Sequence, residues 1–132
     1  MSKNESMDIE RAFRESWSYV EMFYAGQIIV RGVSFLIPLY RTVFVWRLMG
    51  YDQKLRAGLS MDSLILSRSK VHGLRPDQAA LQIYVAEEAK FMVNYRDGAS
   101  TMTSSVDGTG SDLVVADELQ SLIDRLVEQP ID

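Results

Sequence analysis

The chain has 132 residues, of which 47% are hydrophobic and 24% charged, with 8 Gly, 3 Pro, no Cys and one His. This length suits one domain with its own core, and the composition excludes a disordered chain, a collagen-like chain and a disulfide scaffold. Without Cys there is no thiol nucleophile, thiolate zinc site or iron–sulfur cluster, and a single His excludes a multi-histidine metal site within one chain. The net charge of −4 is spread unevenly: residues 26–75 hold eight basic and two acidic side chains, whereas residues 76–132 hold three basic and eleven acidic. The ordinary account of a basic middle and an acidic end is internal pairing, with the acidic elements folded back over the basic ones. The sharper account is a basic face for an anionic partner.

Taken in chain order, residues 1–6 read as a flexible lead without the apolar run of a signal peptide. Residues 7–25 read as a helix. Ser6 is placed to cap it, and Ile9, Phe13, Trp17, Val20 and Tyr24 repeat at spacings of 4, 4, 3 and 4, with Gly26 as the stop. Residues 27–50 support two readings. Their β-branched residues favour strands, with Pro38 at an edge or bend. The rival is a helix from Pro38 to Met49, with Pro at its start and Gly50 just past its end. The strand reading is preferred. The same stretch carries Arg31, Arg41, Arg47 and a Pro, so it is not a membrane span.

Residues 61–72 read either as a short helix capped by Ser60 and ended by Gly73, or as a strand around Leu64–Leu66. Pro76 followed by Asp77, Ala79 and Ala80, with helix formers through Lys90, predicts a middle helix. The Phe91–Tyr95 run, Asp97-Gly98 and Thr101–Thr103 predict a hairpin. A turn cluster at residues 107–110 leads to a last helix, in which Val115, Leu119, Leu122 and Leu126 repeat at 4, 3 and 4 with Ile123 and Val127 alongside. The expected fold is α+β: N-terminal helix, small antiparallel sheet, middle helix, β-hairpin and C-terminal amphipathic helix, with a mostly α fold as the alternative. Residues 129–132 read as a flexible end.

No motif carries chemistry. His72 has no placed partner nearby and reads as the last turn of a helix rather than a general base. Asp107, Thr109, Ser111 and Glu118 echo a calcium loop, but Asp112 stands where such a loop needs Gly. The Gly-Thr-Gly-Ser-Asp run before the last helix lacks the Lys of a P-loop and is ringed by acids. No catalytic residue, metal or cofactor is implied. The most unusual patch is Tyr40–Arg47. As a strand it sets Tyr40, Thr42, Phe44 and Trp46 on one face, and Arg41, Val43, Val45 and Arg47 on the other. Tyr40, Arg41, Phe44, Trp46 and Arg47 are therefore the candidate binding residues, of the types enriched in interface anchors.

The element order in a small acidic chain is similar to that of type III secretion chaperones, a resemblance that implies protein binding. The leading expectation is a cytoplasmic, non-enzymatic adaptor or chaperone-like module. It would bind another protein, itself, or both, through an apolar surface flanked by arginines. Seven Met suit such adaptable contacts. One alternative is peripheral association with an anionic membrane surface through residues 28–56. Another is a small-ligand binder or enzyme with a pocket behind the N-terminal helix, where His72 and the tyrosines are the acid/base groups to test. Nucleic-acid binding is disfavoured by the negative net charge and sparse Lys. On this reading, Trp46→Ala combined with Arg47→Ala weakens partner binding without unfolding the chain, which calorimetry checks.

Overall fold

The N-terminal helix is longer at both ends than its apolar stripe predicts. In the computed structural model of the chain, which describes residues 2–71, 77–87, 90–97, 100–107 and 117–132, α1 runs from Lys3 to Ile29. Ser2 is the cap: its Oγ accepts a hydrogen bond from the Glu5 N–H at 3.1 Å, so residues 3–6 form the first turn. At the other end the helix passes through Gly26. Of the stripe, Phe13, Trp17, Val20 and Tyr24 are buried and Ile9 is half-buried.

The strand reading of residues 37–48 is overturned. They form α2, Ile37–Leu48, with Pro38 in the first turn and Gly50 beyond the end at φ 90. Leu39, Thr42, Val43 and Trp46 are buried at helical spacing, and that periodic burial outweighs the β-branched propensity. The Thr42 hydroxyl donates to the Pro38 carbonyl at 2.8 Å, so this β-branched polar residue sits satisfied inside the helix. Arg47 near the end of α2 reaches Glu21 and Ser18 of α1, so the two helices form an antiparallel hairpin.

Five antiparallel strands follow in the order β1-β2-β3-β4-β5: β1 Arg56–Ser60, β2 Ser63–Ser67, β3 Ala80–Glu87, β4 Lys90–Asp97 and β5 Ser100–Asp107. Of the two readings for residues 61–72, the strand is correct. The middle helix is not present: β3 occupies that stretch, and Leu81, Ile83 and Val85 alternate toward the core. The resemblance in element order to type III secretion chaperones rested on that helix and lapses with it. The expected hairpin is β4–β5, with Asp97 opposite Ser100. His72 and most of the 107–118 segment, with its calcium-like and glycine-rich motifs, lie outside the described residues.

One face of the sheet and the three helices enclose the core. The register aligns Ala57, Leu66, Leu81 and Tyr95 in one cross-strand row and Leu59, Leu64, Ile83 and Val93 in the next. The last helix, α3 (Asp117–Val127), buries Leu119, Leu122, Ile123 and Leu126 of the predicted seam, with Val127 half-buried and Val115 outside the described residues. The C-terminus is tied down. The Asp132 N–H bonds the Arg68 carbonyl, and its main-chain oxygen accepts from the Lys70 N–H at 3.0 Å.

The two tryptophans are satisfied unequally. Trp17 donates its indole N–H to the Leu55 carbonyl at 2.8 Å, whereas the buried Trp46 indole N–H has no partner. Trp17→Phe therefore breaks a buried hydrogen bond, and Trp46→Phe removes an unsatisfied donor. In urea unfolding, Trp17→Phe should be the more destabilising of the two by about 1–2 kcal/mol.

Candidate interaction surfaces

The α2 helix distributes the candidate patch differently from a strand. Trp46 is 1% exposed and packs edge-on against Tyr51, with ring centroids 6.5 Å apart at 84°. Tyr40 is half-buried against the core. Arg47 is also half-buried. It bonds Glu21 and Ser18 of α1 and lies 3.8 Å from Asp52 in the 3₁₀ turn after α2. Only Arg41 and Phe44 of the five candidates face outward. The expected outcome for the paired substitution therefore reverses: Trp46→Ala empties a core position at a cost of about 3–5 kcal/mol, so loss of binding in that variant would report unfolding.

A different set comes together instead. Ile37, Arg41, Phe44 and Leu48 fall at spacings of 4, 3 and 4 on the outer face of α2, with Phe44 49% and Leu48 75% exposed. Met49 beyond the C-terminal end of α2, Ile29 at the end of α1, and Val30 and Phe35 in the hairpin connection are exposed as well. Of thirteen exposed large hydrophobics among the described residues, eight lie between Met22 and Met49. That concentration exceeds the scatter normal for a protein surface. No acidic residue occurs from residue 22 to 51. Ile37 and Leu48 were missed because the strand reading grouped alternate residues; the 4-3-4 spacing was the available signal.

A second surface lies between α1 and β1. Tyr19, Phe23, Leu59 and Met61 are among the residues lining a groove of about 480 Å³ on the side of the sheet where α1 runs along the edge. The helix is held there by three polar links. Besides the Trp17 bond, the Ser16 Oγ accepts from the Ala57 N–H at 2.9 Å, and the Tyr24 hydroxyl donates to the Asp62 carbonyl at 2.9 Å. A third, smaller recess of about 230 Å³ sits on the outer face of the sheet, with Ile65 and Ala80 at its floor and Gln82, Asn94, Arg96 and Thr101 around it.

Charge is settled mostly by local partners. Arg47 with Glu21 and Lys70 with Glu5 at 3.6 Å join the basic middle to the acidic α1. Arg56 and Arg68, in contrast, spend donors on main-chain oxygens: Arg56 on those of Ser69 and Lys70, Arg68 on those of Gln129 and Lys54. Burial lowers the pKa of both. These ion pairs of the basic middle therefore run to the acids of α1 rather than to the acidic end, and carbonyl capping engages Arg56 and Arg68. Comparison with protein families, characterised proteins and solved structures finds no match to this chain.

Burial, with the Asp62 carboxylate adding to it, raises the Tyr24 phenol well above its ordinary value. A raised native value favours the neutral form. Its stabilisation is fully present below the ordinary pKa of 10.0 and is lost as pH rises past it toward the native value, because the unfolded chain releases its proton first. Tyr24→Phe should cost about 1 kcal/mol at neutral pH through the lost hydrogen bond, yet show a shallower loss of stability above pH ~10 than the unaltered chain. Denaturant titrations at several alkaline pH values check both.

Proposed function

We propose that the chain is a non-enzymatic protein-binding module that self-associates through the outer face of α2. The observation that supports this most is the exposed 4-3-4 stripe. Three of its four side chains are apolar, and the fourth is an Arg, a residue type common at interface hot spots. The stripe is self-complementary under a two-fold axis. If two α2 helices cross antiparallel about a point between Thr42 and Val43, Ile37 of one copy opposes Leu48 of the other. Arg41 then opposes Phe44, a cation–π arrangement.

The helix spans roughly 18 Å at about 1.5 Å per residue, so the stripe alone buries less than the roughly 800 Å² per partner of a standard interface. Met49 and Phe35 extend it, and the pairing should be reversible, with a dissociation constant on the order of 10 μM. A second reading, docking on an anionic membrane surface, is supported by the thirty residues from 22 to 51 that hold three Arg and no acid. Among the described residues no helix is long and apolar enough to cross a membrane.

Sedimentation equilibrium decides between the readings. Self-association predicts a concentration-dependent dimer that Phe44→Glu or Leu48→Glu converts to monomer, with the circular dichroism spectrum unchanged. A monomer at every concentration, joined by salt-sensitive sedimentation with anionic vesicles, would replace the proposal with the membrane reading.

A further inference from the structure

We propose that the open half of the β1 edge, facing the groove beside α1, binds an extended apolar peptide segment that carries a basic residue at one end. The inference rests on reading the chain as a protein-binding module, but not on its self-association. The β1–β2 hairpin turns at Met61-Asp62, with Ser60 opposite Ser63. In such a two-residue hairpin the flanking pair exchanges main-chain bonds, and exchange alternates along the ladder. Ser60, Gly58 and Arg56 therefore bond β2, while Ala57 and Leu59 turn their N–H and C=O toward the free edge. The Ala57 N–H bonded by Ser16 confirms that parity.

The edge is thus closed at Ala57 and open at Leu59. Among the described residues no partner meets the Leu59 N–H or C=O on that side. An extended peptide laid there gains a pair of main-chain bonds, the mode by which exposed edges accept added strands. The groove beside it is walled by exposed aromatic and thioether side chains: Tyr19 is 66% and Met61 91% exposed. Met61 holds a left-handed φ of 57, a conformation that Gly or Asn would adopt at less cost, so a bulky apolar side chain is presented at an energetic disadvantage.

Charge sets the polarity of the segment. Phe13 meets Arg56, and Tyr24 meets Asp62, so α1 and β1 run in the same direction and the groove has distinct ends. At the Arg56 end the guanidinium keeps its charge but spends two donors on carbonyls, and the exposed Glu15 carboxylate beside it is the acceptor turned to a ligand. The far end is lined by the apolar Phe23 and Met61, with the exposed Asp62 in the turn beyond them. A segment with Lys or Arg over Glu15 and apolar residues along the rest matches both ends.

The probes are acetylated, amidated peptides of the sequence Val-Tyr-Val-Phe-Thr with Lys added before or after it, and the two counterparts with Glu in place of Lys. In amide nuclear magnetic resonance titrations, one Lys peptide should shift the Leu59 resonance, slow its hydrogen exchange and bind about fivefold tighter than its Glu counterpart. Glu15→Lys, an exposed change that leaves the fold intact, should reverse that preference, and Tyr19→Ala should weaken both. The proposal is overturned if none of the four peptides moves Leu59 at about 1 mM. It is equally overturned if the shifts centre on α2 or if Glu15→Lys leaves the preference unaltered. Sedimentation of the same samples separates the two claims. A monomer that still shows the Leu59 response refutes self-association alone, and a dimer without that response refutes the groove alone.

Discussion

The seam between α1 and β1 positions everything else in this molecule. A helix laid along a sheet edge must satisfy the main-chain groups it covers, because a buried orphan donor or acceptor costs about 1–3 kcal/mol. Here the Ser16 hydroxyl takes the Ala57 N–H, the Trp17 indole takes the Leu55 carbonyl, and the Tyr24 phenol takes the Asp62 carbonyl. The three donors and acceptors lie along one stretch of α1, so the helix is held in register as well as against the sheet. The antiparallel hairpin then carries α2 into place, with Arg47 linking it back to Glu21. The outer stripe of α2 and the groove beside β1 are two consequences of that single placement.

The two surfaces differ in what they offer. The α2 face presents side chains alone, since its backbone is bonded within the helix, and so it favours a convex, interdigitating partner. The β1 edge presents main-chain groups, which suit any extended chain of the right polarity. A module that pairs with itself through the first keeps the second free, because α1 lies between β1 and the outer side of α2. The other sheet edge, β5, is rich in Ser and Thr and carries no such aromatic wall among the described residues.

Much of the core was legible from spacing. Four of the five α1 stripe residues, and Leu119, Leu122, Ile123 and Leu126 of the α3 seam, are buried as read, because amphipathic periodicity reports burial directly. The α+β class followed from the hairpin signal after Lys90. Two elements were misassigned for one shared reason: local propensity was weighed above period. Ile37–Leu48 is rich in β-branched residues yet buries a helical face, and Ala80–Glu87 holds helix formers yet alternates Leu81, Ile83 and Val85 inward. Reading the period first finds both, and with them the Ile37–Leu48 stripe. Trp46 was misplaced as a surface anchor for the same cause. The groove was not legible at all, since it depends on α1 and β1 meeting across some forty residues of chain. The expectation of a pocket behind the N-terminal helix named only His72 and the tyrosines, of which Tyr19 lines the groove.

Two copies of this chain are proposed to meet at the outer face of α2. A dilution series of amide spectra tests this most directly, because it reports which residues sense a second copy. The account predicts shifts that grow with concentration and cluster on Ile37, Arg41, Phe44 and Leu48, with the strand amides unchanged. Spectra independent of concentration, or shifts confined to the β5 edge, would contradict it.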